Sequence, residues 1–479
     1  MFFFKKPSIQ QFPWFWMGMA AVFLLSATLR FWGLSRFNTL VFDEVYYAKF
    51  ANNYLTHTQF FNAHPPLSQY LIAIGIWIGS HLPFGQDTVN PLTGSLRSTW
   101  SYRWLNALTG SFIPLVVAGI AYQINHRRSY AFIAALFAAT DGLFLVESRY
   151  ALNNVYLVIF GLLGQLFLLL GLARQHRRRG LWLALAGISF GASAAIKWNG
   201  LWFLLGAYLI WMAAWVIRWL QRLQPAYLSY SQARIQTPLQ NLTQLKIWHI
   251  LFYLGIIPVL TYSISWIPHL LLIPKPGFWE MQKQILMYHQ RIGSGPEVHP
   301  YCSAWYTWPL MLRPVAYFYK TAQNATADSK VIYDVHAIGN PILWWLSTAT
   351  ILFLLWILAQ SVISWVIGNR QVPYSRPSLP ITWTALYLVL NWLANWLPWA
   401  RVTRCIFLYH YMGASVFSGL ALAWLVDQWL HNYRSELRAL GVTIIFLILL
   451  AFVFWMPIYL GLPLSPASYG LRMWFRSWI

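Results

Sequence analysis

The chain has 479 residues, 58% hydrophobic and 9% charged, with 30 Trp and a formal net charge of +22. Soluble domains carry about 25% charged residues, so this composition excludes an ordinary soluble protein and points to a polytopic membrane protein. The positive charge does not indicate a nucleic-acid partner, because many of the basic residues fall in short clusters between apolar runs, as topology signals do.

In chain order, MFFFKKPSIQQ places Lys5 and Lys6 before the first apolar run and shows no cleavable leader, which predicts a retained cytoplasmic N-terminus. Eleven spans are expected, over 14–34, 104–124, 130–147, 153–173, 181–196, 199–217, 248–273, 341–366, 379–397, 405–426 and 439–461. The apolar stretch 67–82 is short and is assigned to a helix lying at the membrane surface; counting it as a span would invert every later loop. With this topology the inner segments hold 16 Lys and Arg, among them Arg127, Arg128, Arg174, Arg177 to Arg179, Arg370 and Arg376, against only Asp427 and Glu436. The positive-inside rule, which counts short loops, supports that orientation in a cell membrane. Two large outer loops result, 35–103 and 274–340, within one membrane domain, and large ordered loops on one face are where function is expected. The outward faces of the spans leave room for a dimer, and nothing in the sequence specifies one.

The first outer loop carries Asp43 and Glu44 side by side where the first span ends, then Lys49 and His64-Pro65-Pro66. A solvated helix-capping pair is the ordinary reading of such acids; an acidic site at the membrane surface is the functional one. Asp141 lies in or at the edge of a span, where a charge costs roughly 2.5–3.5 kcal/mol and is normally paired or lines a polar cavity. Glu147 and Arg149 follow. Either Arg149 pairs with one of these acids, or its planar fork holds an anionic group at the outer leaflet. Lys197 reads as a snorkelling residue at a span end. Arg401 and Arg404 stand at another outer mouth, where a lipid phosphate or anionic headgroups would account for them. The aromatics of 305–308 form either a sugar-stacking wall or an interfacial belt.

Cys302 and Cys405 offer neither a disulfide framework nor a metal spacing, and the histidines lack a metal-ligand pattern. Asn241 and Asn324 head glycosylation sequons, a weak signal. No P-loop, nucleophile elbow or dinucleotide fingerprint is present.

FDEVYYAKFANNY, FFNAHPPLSQYLIA, SYRWLNALTGSFIPLV, ESRYALNNVYLV, GASAAIKWNG and HPYCSAWYTWPLMLRPVAYFY together resemble, in order, blocks of the protein O-mannosyltransferases, membrane glycosyltransferases of the GT-C fold. The resemblance covers most of the chain. The loop 274–340 lacks the MIR domain of eukaryotic members, so the chain looks like a bacterial one. The resemblance implies an all-α polytopic GT-C architecture, a polyprenyl-phosphate-sugar donor, a protein Ser/Thr acceptor, and transfer on the external face. It also implies Asp43 as general base with Glu44 beside it, and Arg149 as the family's functional arginine. Beyond it, His64 and Lys49 are placed near sugar and phosphate, Arg401 and Arg404 on the phosphate, and His299, Tyr301 and Trp305 at an acceptor or loop site. No cofactor is required and the chemistry demands no metal, with metal dependence left open.

Two other readings compete. One keeps the architecture with another lipid-linked sugar, or with a lipid or glycan acceptor. The other is a transporter or flippase of a lipid-linked sugar, which would need polar residues running through the spans; here they gather at the outer mouths.

Overall fold

The computed structural model describes residues 13–173, 178–223, 238–323, 330–366 and 379–479. Of the positions singled out above, Lys5, Lys6, Arg174, Arg177, Arg370, Arg376 and Asn324 lie outside them. The first apolar helix, α1 (Trp14–Phe31), is followed within the loop 35–103 by α2 (Glu44–Leu55) and α3 (Leu67–Ser80), then the hairpin β1 (Val89–Leu92) and β2 (Ser95–Ser98). A bundle follows: α4 (Thr99–Asn125), α5 (Arg128–Ala139), α6 (Gly142–Arg149), α7 (Asn154–Ala173), α8 (Arg179–Ile196), α9 (Leu201–Leu223) and α10 (Ile247–Leu272). The loop 274–340 contributes α11 (Phe278–Arg291) and the hairpin β3 (Val315–Gln323) and β4 (Lys330–Ala337). Helices α12 (Pro341–Val366), α13 (Leu379–Trp396), α14 (Met412–Leu430) and α15 (Ser435–Leu460) complete the bundle.

The expected eleven spans are not all matched. Among the described residues, eight helices are long and apolar enough to cross a membrane, and nine if α5 and α6, bent by 58°, form one span. Helices α13 and α14 stand where two more were expected but are diluted by polar side chains. Asn391, Asn395, Ser415, Ser418 and Asp427 are all buried inside the bundle. Helix α14 also starts seven residues later than expected, because Leu408–Tyr411 forms a tight turn first. Helix α3 has 14 residues, about 21 Å of helix against an apolar thickness of about 30 Å, and packs on α2 and α4.

The bend between α5 and α6 explains Asp141. Its carboxylate caps α6, accepting from Leu143 N (2.8 Å) and Phe144 N (3.3 Å), and also accepts from Trp344 Nε1 at 2.5 Å. A charge at membrane depth is thus satisfied by helix-end donors, not by Arg149.

The two hairpins are a departure from an all-helical reading. Both are antiparallel, one within the loop 35–103 and the other within 274–340. The strand β4, KVIYDVHA, is rich in β-branched and aromatic residues, which suit a pleated, half-buried surface.

Candidate active site

The stretch after α1 is built around one buried ion pair. Arg103 on α4 reaches Glu44 with Nε (2.8 Å) and Nη2 (2.7 Å), and both side chains are fully buried. Glu44 also accepts from Val41 N and Ala151 N, each at 2.8 Å. The same guanidinium collects the carbonyls of Leu34, Phe37 and Thr39, so it moulds the loop that delivers the acidic pair. Arg149 acts likewise. Its Nη1 donates to the carbonyls of Leu29, Arg30 and Trp32, and its Nη2 to Gly33. Those acceptors are the orphan carbonyls of the end of α1, which turns at Gly33 with φ +62°, a conformation glycine adopts freely. Arg149 is therefore an anchor of α1 and does not stand at the cavity described next. Glu44, saturated by four donors, is likewise an anchor.

Asp43 lies one residue before that anchor and is only part-buried, and its side chain caps nothing. Phe42 before it holds φ at 50°, a costly conformation for a bulky residue, and stacks flat on Tyr317 of β3 with ring centroids 4.2 Å apart. Burial pushes the Asp43 carboxyl up to about 6, against the pull of Lys197.

Lys197 is the main correction to the sequence reading. It does not snorkel: it is 5% exposed, its Nζ donates to Asn154 Oδ1 at 3.0 Å, and it sits 5.8 Å from the Tyr47 ring and 5.6 Å from the Tyr409 ring. The chain after α8 turns back into the bundle at Trp198–Gly200, so the ammonium points inward. Glu147, fully buried, accepts from Asn154 Nδ2 (3.1 Å) and the Tyr317 hydroxyl.

Lys197 forms part of the wall of a cavity of about 800 Å³ bounded by α8, α9, α10 and α11. One arm is apolar, lined by Leu204, Tyr208, Leu254 and Val259; the other end presents Lys197, His64, His289, Arg401, Arg404 and His410. The apolar arm follows a π-helical turn in α10, Ile250–Ile256, whose Leu254 carbonyl accepts from the Tyr208 hydroxyl at 2.5 Å. Gly187 of α8 permits this approach: a Cβ there would lie 2.1 Å from the Tyr253 carbonyl oxygen. Burial holds His64 well below the ordinary imidazole range and His289 down to about 4, with Lys197 adding to both. Both rings are therefore neutral hydrogen-bonding groups at pH 7. The His289 ring contacts the Ala63 carbonyl at 2.9 Å and lies 5.2 Å from the His64 ring, fastening α11 over the first outer loop.

Of the residues expected at the site, His64, Arg401 and Arg404 are brought to the cavity, and Asp43 lies in the field of its lysine. Lys49 is not: it is exposed on α2. His299, Tyr301 and Trp305 are also absent from the cavity wall; His299 packs on Phe407 (5.0 Å) and Trp305 on Trp396 (4.9 Å). Trp308 is fully buried against Trp399 and His410, so this aromatic is neither belt nor sugar platform.

Cys302 and Cys405 are joined, with Cα atoms 5.2 Å apart across 103 residues of sequence. Spacing along the chain gave no sign of this pair. They meet because the Arg404 segment pairs with the second outer loop, through Cys405 N to Gly293 O (2.7 Å) and Ser303 N to Ile406 O (2.9 Å). Among the described residues no group of three or more His, Cys, Asp and Glu is arranged to hold a metal ion.

Sequence reasoning missed Lys197 as a site residue, and also Asn154, Tyr317, His289 and His410. The one available signal was a lysine within the apolar run GASAAIKWNG.

Residues 20–273 match the family described as dolichyl-phosphate-mannose-protein mannosyltransferase, and residues 275–478 match the C-terminal four-transmembrane region of protein O-mannosyltransferase. The chain is similar to the polyprenol-phosphate-mannose–protein mannosyltransferase of Mycolicibacterium smegmatis, 24% identical over 97% of this chain and 93% of that one. A namesake from Corynebacterium glutamicum is 24% identical over 99% and 95%. The fold is similar to that of the S. cerevisiae protein O-mannosyltransferase Pmt1-Pmt2 complex bound to the sugar donor, with a TM-score of 0.77 at 15% identity, covering 98% of this chain and 93% of that one.

Proposed function

The chain belongs to the protein O-mannosyltransferase family, and on that premise we propose that it transfers mannose from a polyprenyl-phosphate carrier to Ser or Thr hydroxyls of proteins on the external face of the membrane. It is a multi-pass membrane glycosyltransferase. The observation that carries the reading is the two-sided cavity: an apolar arm that suits a prenyl tail and a cationic end that suits its phosphate.

Each residue then has a chemical task. Lys197 and Arg404 hold the donor phosphate, with neutral His64 and His289 as hydrogen-bonding walls. As the bond between the sugar C1 and the phosphate oxygen lengthens, negative charge grows on the leaving phosphate and positive charge on the sugar ring. The acceptor Oγ bonds to C1 from the opposite face, its proton passes to an Asp43 carboxylate oxygen, and polyprenyl phosphate departs. One displacement inverts the sugar carbon. An Asp raised to about 6 is a better base than an ordinary carboxylate of about 4, yet weak for a hydroxyl. The order of events that suits it is cleavage ahead of proton transfer, which cations on the leaving group favour. No step of the scheme calls for a metal ion.

The test is transfer of label from polyprenyl-phosphate-mannose to a Ser/Thr-rich peptide, wild type beside Asp43→Asn. Label on the peptide with wild type alone is expected. Label only on lipid or glycan would replace the acceptor, and full activity in the variant would remove Asp43 as base.

A further inference from the structure

Lys197 is aimed by a chain of buried side chains that takes no part in sugar or proton transfer. Asn154, the first residue of α7, accepts from Lys197 Nζ through Oδ1 at 3.0 Å and donates from Nδ2 to a Glu147 oxygen at 3.1 Å. The two bonds fix the amide's sense, with oxygen toward the ammonium and nitrogen toward the carboxylate. The other Glu147 oxygen accepts from the hydroxyl of Tyr317 on β3. Asn154, Glu147 and Tyr317 are 8%, 0% and 6% exposed, so bulk water hardly competes for these bonds. The rings of Tyr47 and Tyr409 confine the ammonium sideways, but neither supplies a directional bond. The other charged groups facing Lys197 are Asp43, Glu147 and Arg404. A lysine is a point charge on a flexible stem, so a single directional acceptor decides where it points.

We propose that Asn154, oriented by Glu147 and Tyr317, is a positioning residue that aims Lys197 at the donor phosphate and ties the donor end of the cavity to β3 of the second outer loop. This rests on Lys197 being a phosphate ligand. Tyr317 makes the tie two-sided. Its ring stacks on Phe42, next to Asp43, while its hydroxyl reaches toward Lys197 through Glu147 and Asn154. A shift of the hairpin when a protein acceptor docks would thus be felt at both the base and the phosphate.

The test uses the full chain in lipid nanodiscs, with polyprenyl phosphate as the binding probe and polyprenyl-phosphate-mannose plus peptide for turnover. Asn154→Ala is expected to raise the Kd for the probe and the donor KM about tenfold, the scale of one hydrogen bond to a charged group, and to lower kcat as well, because Lys197 also faces the charge that grows on the leaving phosphate. Tyr317→Phe, which keeps the ring stack, is expected to shift both about threefold in the same direction. Lys197→Ala combined with either variant is expected to be no worse than Lys197→Ala alone. Losses that multiply in the double variants, or an unchanged Kd in both single variants, would overturn the proposal. If Asn154→Ala does not insert, the Tyr317→Phe cycle carries the same decision. A wild type that binds the probe yet labels no peptide counts against the acceptor assignment alone, and the binding cycle still decides the role of Asn154.

Discussion

Glu44 accepts four hydrogen bonds of 2.7–2.8 Å, from Val41 N, Ala151 N and twice from Arg103, and has no exposed surface. Asp43, one residue earlier, caps nothing, stays part-buried, and has its carboxyl pushed up by burial. In the anchor region around Glu44, Arg103 and Arg149 the charges are tied to partners that stay in place, with Arg149 Nε alone of that guanidinium left without one. At the cavity end Lys197 donates one bond, to Asn154 Oδ1, Arg404 donates one, to the Cys405 carbonyl, and Asp43 caps nothing. A saturated buried charge holds structure, whereas an unsaturated one is available for chemistry. Adjacent acids in one motif thus stand in different surroundings.

The largest expected effect separates the two regions by what each substitution removes. Asp43→Asn should lower turnover by about 10²–10⁴-fold, the usual span for a general base. It should unfold at or above the wild-type temperature at pH 7.5. The sign follows from linkage: the folded pKa lies above the unfolded value, so ionising Asp43 costs stability as pH rises through about 4 to 6, and Asn avoids that cost. Arg103→Ala should behave in the opposite way. Leaving Glu44 buried without its partner costs about 3–5 kcal/mol, seen as a large fall in the thermal midpoint in detergent. If the two variants lose stability equally, the comparison fails.

At the cavity end, Arg404→Ala should raise the donor KM about 10–100-fold while the thermal midpoint stays near wild type. A smaller effect is expected from pH. Asp43 must be ionised to accept a proton, so kcat/KM should fall about tenfold per unit below pH about 6 and level off above it. A limb centred near 4 would mean that the carboxyl is not shifted in the working enzyme. The smallest effect is expected from Lys49→Ala, which removes an exposed charge on α2 and should change KM and kcat by less than about twofold.

The sequence by itself determined the class of protein, most of the apolar helices and the short apolar helix α3. Apolar length, charge clusters and proline steps are local properties, and a chain displays them without folding. The sequence also brought His64 into view, in the His-Pro-Pro step after the acidic pair, and Arg401 and Arg404, because arginines at a span end need a reason. Residue types alone do not separate Asp43 from Glu44, which only the family resemblance tells apart, or Arg149 from Arg404, since each pair carries the same charge in a similar setting. The tertiary structure shows the different surroundings of each. Arg103 lies 59 residues from Glu44 and the acceptors of Arg149 lie 116 to 120 residues from it, so the partners that turn them into anchors are invisible along the chain. Lys197 was misjudged for the same reason: a lysine ending an apolar helix normally reaches for water, and here the turn at Trp198–Gly200 and the amide of Asn154 hold it inward. The disulfide, the two hairpins and the cavity likewise arise from pairings between distant segments. Long-range pairing sets which charges are held by fixed partners.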